Sequence, residues 1–515
     1  MTMLRRHGAI LAVLLALTPW YLWLNWYDGL GSLQGDGLIY VSTARHYAPY
    51  LPPHPLDEIW ASVTQFPPGY GALLAATGGA ADFRLAHGIT ALSLVAAFAA
   101  FYAWLVLSLG VERLRAALGA TLLALAPGTF MLSFHLYPEG MYLAMVFAAL
   151  IALARGEQTA GAAWFWTASA ATAAAILTRT VGIALLPALF VALARARPRG
   201  WPVMFALALG PGAVWSLVHN PPFNYTRSLK DRYLGTPVED VVRTLWDATQ
   251  SAAWGLLHNV NQNQELVWLA VPLVAVAGVV AFQRVFRWRP DAWYLLAYLG
   301  ILAIWPYANE GPRLTWVVVP ILLGYLVCAG QQAALRVQAS SRWSSVAFRW
   351  APVAALALMV VPEFALLSAR AVHPLSLANP AYRHYPQWYE PSLKRAHALT
   401  EMHLGVAEAF RKFAHQIPAN ECFFSTLEDL GSFYMRVPAQ EPPPESIDDA
   451  VFNEELHQAG CRYFVFSVAS SHDGERDFYP LDRVRDRVRI LDEYRMALEG
   501  RPVVSVLAVL RDEGS

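Results

Sequence analysis

The 515-residue chain is 56% hydrophobic and only 15% charged, with a mean hydropathy of +0.35. A soluble domain carries about a quarter charged residues, so this composition excludes an ordinary soluble protein and points to repeated membrane crossing. Its 38 basic and 38 acidic residues cancel, which gives no general attraction to nucleic acid.

In chain order, Arg5 and Arg6 precede an apolar run that reaches Tyr27. The run has the length of a span, ends in aromatics and lacks a small-residue cleavage site, so it reads as a first membrane helix rather than a secretory leader. Further spans are expected at about 85–109, 117–134, 138–154, 161–178, 181–195, 202–219, 265–283, 291–307, 314–333 and 350–368, about eleven in all. The apolar stretch 69–80 is too short to cross and reads as interfacial or re-entrant. With Arg5 and Arg6 placed in the cytoplasm, alternation puts Arg113, Arg115, Arg155, Arg195, Arg197, Arg199, Arg284, Arg287, Arg289, Arg336, Arg342 and Arg349 on the same side. Every short loop there is basic, as cytoplasmic loops are. The opposite, outer face receives loops 28–84 and 220–264 and everything after residue 369.

Residues 1–370 therefore read as an all-α membrane domain, and 371–394, rich in Pro, Tyr and Trp, as an interfacial linker. Residues 395–515 read as a small α/β domain on the periplasmic side. It begins with an amphipathic helix at about 395–416, followed by short strands at CFFST, CRYFVFSVA and PVVSVLAVL. Helical segments are expected at about 447–459 and 481–498, and PAQEPPPES reads as a loop. Cys422 and Cys461 each open a strand; on the periplasmic side they can pair, and two separate buried thiols are the alternative. Cys328 lies in an apolar run and reads as a buried hydrophobe.

The outer turns hold the groups that could carry chemistry. The first loop opens with GDGLIYVSTARHY, which places Tyr40 one helical turn after Asp36. It continues through HPLDEIW, with Asp57 and Glu58, and closes with QFPPGYGALLA, which contains Tyr70. FHLYPEGMY supplies His135 and Glu139, LTRTVG supplies Arg179, and NEGPRLTW supplies Glu310 and Arg313. Ionisable groups at membrane depth are costly and usually line a cavity or pair with one another. Each has a plainer reading too: Asp36 as a helix N-cap, Glu139 as a carboxylate favoured by a helix dipole, Arg179 as a cation reaching for headgroups, Arg313 as the partner of Glu310. His135 and Glu139 at i, i+4 offer two metal ligands, short of a metal site. No P-loop, HExxH or GxSxG motif occurs.

The order and common sidedness of GDGLIYVSTARHY, FPPGYGALLA, YPEGMYLAMVFAAL, LTRTVGIALLPALF and GPRLTWVVVPIL resemble the GT-C membrane glycosyltransferases. The similarity is closest to bacterial relatives of the protein O-mannosyltransferases and the lipid A aminoarabinose transferase. It implies a GT-C-like membrane domain and a polyprenyl-phosphate-linked sugar donor, with a lipid, glycan or protein hydroxyl as acceptor. It further implies a carboxylate base, here Asp36 with Asp57 or Glu58 in reserve, and cations for the leaving phosphate, here Arg179 and Arg313. Tyr40, Tyr70, His135, Glu139 and Glu310 are then substrate-binding candidates, and Arg227, Lys230 and Arg232 lesser helpers. Many relatives carry an Asp-Glu pair in the first loop, whereas Gly37 follows Asp36 here; whether a divalent cation takes part is left open. A transporter or lipid flippase, which often shows internal repeats, and a non-catalytic scaffold are the competing readings; no repeat is evident.

Overall fold

In the computed structural model the described residues are 2–29, 35–219, 225–262, 267–305, 311–337, 342–384, 392–443, 448–466, 484–498 and 501–511. Glu310 lies outside them.

Among these residues, seven helices are long and apolar enough to cross a membrane: His7–Asn25, Phe83–Leu107, Glu139–Thr159, Trp201–His219, Val267–Phe286, Arg313–Val337 and Ser345–Ala371. The pair Arg113–Leu125 and Pro127–Phe134, bent by 56°, makes an eighth if counted as one span. The bend falls where proline ends one ladder and starts the next, with Ala126 extended between them. The expected spans 161–178 and 181–195 correspond to the shorter apolar helices Ala162–Thr178 and Thr180–Ala196. The span expected at 291–307 corresponds to the 14-residue helix Pro290–Ala303, about 21 Å long. The protein is a multi-pass membrane protein.

The two ends of the bundle differ. At one end Glu157 reaches Arg195 at 3.3 Å and Arg289 at 3.9 Å, Gln158 donates to the Leu107 carbonyl, and Gln331 donates to the Gly110 carbonyl. Arg284 makes a two-pronged bond to the buried Asp291, whose carboxylate also accepts from Tyr325. The other end of the same Glu139–Thr159 helix, about 30 Å away, carries Glu139.

Above that second end sit the outer-loop helices Gly35–Tyr47, Pro55–Val63 and Gly69–Ala76. The last of these fills the 69–80 stretch and is too short to cross. Their apolar faces share one core with the C-terminal domain: Leu38, Val41, Ala44, Tyr70 and Leu74 pack with Val406, Phe410, Phe413, Phe423 and Phe433.

The C-terminal domain opens with helix Leu393–Phe413. Its strands are β1 (Phe423–Phe424), β2 (Ala439–Gln440), β3 (Tyr463–Phe466), β4 (Val488–Leu498) and β5 (Arg501–Leu510). The sheet order is β2-β1-β3-β5-β4, with β1 parallel to β2 and β3, and β5 antiparallel to β3 and β4. Helix Asp449–Ala459 forms where expected. The helix expected at 481–498 does not: most of that segment is β4, and the expected loop PAQEPPPES contains β2. Leu, Glu, Arg and Ala in 491–499 are helix formers, but pairing with the hydrophobic β5 overrides that preference. A register shift between Ile490 and Asp492 also breaks the alternation that would have announced a strand. Cys422 and Cys461 form a disulfide joining the segments that enter β1 and β3, and Cys328 is a buried free thiol.

Candidate active site

Four charged residues from separate parts of the chain converge at the outer-loop end of the bundle. Arg179 donates from Nη1 to Glu139 Oε1 at 2.6 Å, and Arg313 donates from Nε to the same oxygen at 2.6 Å. Arg313 Nη1 also donates to Asp36. The sequence separations are 40, 174 and 277 residues, so only the tertiary fold brings these groups together.

Local structure explains each placement. Asp36 lies in the first turn of Gly35–Tyr47, and Glu139 opens Glu139–Thr159, where the helix dipole favours a carboxylate. Arg179 is extended between two helices, and its carbonyl accepts from Gly182 at 2.8 Å. A Cβ on Gly182 would lie 2.6 Å from the Ile176 nitrogen, so the tight turn presenting Arg179 admits only glycine there. Arg313 rides on the short helix Gly311–Trp316. That helix is pinned by Trp316 donating to Thr129 at 2.9 Å and by Tyr298 donating to the Leu314 carbonyl at 2.9 Å. The guanidinium of Arg313 lies 3.9 Å over the ring of Tyr137, a cation–π contact.

Glu139 is 1% exposed, the two arginine side chains 11% each, and Asp36 23%. Glu139 is thus the buried anchor on which both guanidinium groups are hung. The accessible face of the cluster borders a cavity of about 120 Å³, to which Asp36, Arg179 and Arg313 contribute on one side. Tyr40, Gln65, Phe66, Tyr225 and Trp305 also line it. Tyr40 stacks on Phe66 at 5.0 Å and meets the edge of Tyr70 at 5.2 Å. Burial pushes the Tyr40 hydroxyl well above the ordinary tyrosine range, outweighing the nearby Arg179 and Arg313, so it serves as a neutral hydrogen-bonding group. Gly69 is needed for this geometry: a Cβ there would sit 2.6 Å from the Leu177 carbonyl, and its absence lets FPPGYG close against LTRTVG.

The remaining sequence candidates are distributed differently. Tyr70 is fully buried behind Tyr40, hydrogen-bonded to Thr90 at 2.5 Å. His135 is half-buried beside Tyr137, ring centroids 4.7 Å apart, and does not line the cavity. Asp57 is 4% exposed and takes both Arg436 nitrogens, at 2.9 and 2.7 Å, which fastens helix Pro55–Val63 to the C-terminal domain. Glu58 faces outward from the same helix. Neither carboxylate lines the cavity, because a helix starting at Pro55 turns Asp57 towards Arg436. Arg227 lies on helix Tyr225–Tyr233 within 3.8 Å of Asp231, outside the cavity lining, as are Lys230 and Arg232. Among the described residues no group of three or more His, Cys, Asp or Glu could hold a metal ion. Asp36 and Glu139 are each held by guanidinium, a poor setting for a further cation. Gln65, Phe66, Tyr137, Tyr225 and Trp305 were not singled out in the sequence; Gln65, Phe66 and Tyr137 lie inside motifs noted for other residues.

No protein-family model matches the sequence, and no curated protein matches it. Solved structures do. The apo crystal structure of ArnT from Cupriavidus metallidurans superposes with a TM-score of 0.50 at 16% identity, covering 97% of this chain and 96% of that one. The chain has the fold of ArnT. The likeness expected from the sequence is met at the level of the fold. Crystalline ArnT bound to undecaprenyl phosphate gives a TM-score of 0.46 at 16% identity, with 97% of each chain covered. The Archaeoglobus fulgidus oligosaccharyltransferase complex with zinc and sulfate gives 0.46 at 14% identity, covering 96% of this chain and 72% of that one.

Proposed function

We propose that this protein transfers a sugar from a polyprenyl-phosphate donor to an acceptor hydroxyl at the outer face of the bacterial inner membrane. The observation that carries this reading is the convergence of Asp36, Arg179 and Arg313 on one cavity at the end of the bundle remote from the basic loops. The shared fold supports it, since ArnT is a protein crystallised with undecaprenyl phosphate. The Cys422–Cys461 disulfide supports an extracytoplasmic C-terminal domain, which with an odd number of spans puts the N-terminus in the cytoplasm.

In this mechanism the donor tail stays in lipid and its phosphate meets Arg179 and Arg313. Planar guanidinium groups bind phosphate through paired hydrogen bonds and stabilise the charge it gains on leaving. The acceptor oxygen attacks the anomeric carbon, the carbon–oxygen bond to phosphate breaks, and the electron pair leaves with the phosphate. Asp36 takes the hydroxyl proton, and attack opposite the leaving group inverts the anomeric centre. Arg313 holds Asp36 in the structure. An incoming phosphate competes for that guanidinium and releases Asp36 beside the reacting bond, so the base becomes available as the donor arrives. Glu139 stays in place and keeps both arginines aimed.

The test is sugar transfer by the purified protein from synthetic polyprenyl-phosphate sugars, with envelope extract as acceptor source. Wild type should transfer, and Asp36→Asn should lose activity by at least about 10²-fold while still binding donor. Wild-type turnover by Asp36→Asn removes it as the base, and substrate movement without sugar transfer by wild type replaces the enzyme with a transporter.

A further inference from the structure

Arg313 sits on a helix of six residues, Gly311–Trp316. A helix that short does not hold itself, so the direction in which it presents Arg313 is set by what grips it from outside. Tyr298 takes the Leu314 carbonyl, and Trp316 is tied to Thr129. A third grip falls on Thr315, two residues on from Arg313 and so about 200° around the helix axis. Holding Thr315 inside the bundle therefore turns Arg313 the other way, to the cavity that it lines.

Asn259 supplies that grip. Its Nδ2 donates to Thr315 Oγ1 at 3.1 Å and to the Gly255 carbonyl at 2.9 Å, and Thr315 Oγ1 donates on to the Gly311 carbonyl at 2.6 Å. Asn259 and Thr315 are each 2% exposed. The Asn259 backbone is fixed as well, its carbonyl accepting from the Gly128 N–H at 3.2 Å. Gly128 lies just beyond the 56° bend, and a Cβ there would overlap Asn259 Oδ1. The broken span thus carries a notch into which the Asn259 carboxamide fits.

The neighbouring Leu256, Val260, Val319 and Leu322 are apolar, and apolar packing alone would bring these helices together. A buried amide is costly unless its partners are in place; what it adds is direction. Direction matters at Arg313 because Asp36 and Glu139 both claim its guanidinium. On a loosened helix Arg313 would follow those carboxylates, and an arriving phosphate would have to compete with both. A firm mount keeps the guanidinium at the cavity wall, as a preorganised site requires.

We propose that Asn259 is a positioning residue for the phosphate-binding arginine. Through Thr315 it fixes the rotation of helix Gly311–Trp316 and so holds Arg313 at the cavity, with Gly128 as the notch that admits it. This deepens the glycosyltransferase reading and rests on it.

The experiment measures the affinity of full-length protein in lipid nanodiscs for undecaprenyl phosphate, well below the melting temperature of every variant. Asn259→Leu and Thr315→Val are nearly isosteric and remove the donor and the acceptor of one hydrogen bond. Each should weaken binding about five- to tenfold, the worth of one buried hydrogen bond. The double variant should bind no more weakly than the weaker single one, because both act on the same bond. Thr315→Ser keeps the hydroxyl and should bind as wild type does. Tyr325→Phe removes a buried hydrogen bond to Asp291 at the other end of the bundle; it should lower the melting temperature and leave the affinity unchanged. Wild-type affinity in Thr315→Val, or losses that multiply in the double variant, overturns the role of Asn259. So does an equal loss of affinity in Tyr325→Phe, which would make binding follow stability alone. Wild type that does not bind undecaprenyl phosphate overturns instead the donor reading of the cavity, and this inference with it.

Discussion

Glu139 holds the charged cluster together without itself lining the cavity. One carboxylate oxygen holds two guanidinium groups at 2.6 Å each, and the residue is almost wholly buried. Removing one partner of a buried ion pair strands the other charge at a cost of about 3–5 kcal/mol, and here two cations depend on one anion. Glu139→Gln should therefore lower the thermal stability of the purified protein markedly more than Asp36→Asn, whose side chain is 23% exposed. Scanning fluorimetry of the two variants checks that ordering, and equal shifts would count against the anchor role. Asp36, Glu139, Arg179 and Arg313 were all legible in the sequence, because a charge at the outer end of an apolar span is conspicuous. Their division of labour was not, since which carboxylate is buried depends on packing between segments up to 277 residues apart. Gln65 and Tyr137 carry no charge and leave no comparable signal.

Helix Pro55–Val63 joins the outer loop to the C-terminal domain. The two-pronged Asp57–Arg436 bond ties it to the end of helix Glu428–Met435, where Arg436 itself adopts a left-handed conformation, φ 57°. Asp57→Asn and Arg436→Ala should each loosen this junction, seen as faster amide exchange in both helices, while the distant Arg284–Asp291 end keeps its protection. The same helix is capped by His54, whose Nδ1 accepts from the Leu56 N–H at 3.2 Å, a role open only to the neutral ring. Burial and the nearby Arg436 hold the His54 pKa below its ordinary 6.5. The unfolded ring takes up its proton first, so the cap contributes fully above about pH 6.5 and progressively less as pH falls below that value. Exchange protection of this helix should decline between about pH 7.5 and 5.5 in wild type, and decline less in His54→Ser, which caps without titrating. At this scale the sequence was an uneven guide. Long apolar helices and Asp449–Ala459 came through, whereas β4 did not, because helix-forming side chains and a register shift hide a strand that only its partner β5 specifies.

At the scale of the whole molecule, the composition and the distribution of arginines foreshadowed a many-span bundle with its basic loops at one end. They could not foretell that outer-loop helices and C-terminal domain would share one core, since that depends on which apolar faces meet. The four charged groups of the site, two carboxylates and two guanidinium groups, sum to zero, in a chain whose 38 positive and 38 negative side chains also cancel. Such a site projects little field beyond a Debye length of about 10 Å at 0.1 M salt, so it has no long reach with which to draw in an anion. A lipid-borne donor arriving by diffusion within the bilayer has no need of that reach. Its apparent KM should consequently change less than about twofold between 0.05 and 0.3 M salt, whereas a water-soluble anion steered by a cationic funnel would weaken steeply. A strong salt dependence would mean that the site is loaded from water rather than from the membrane.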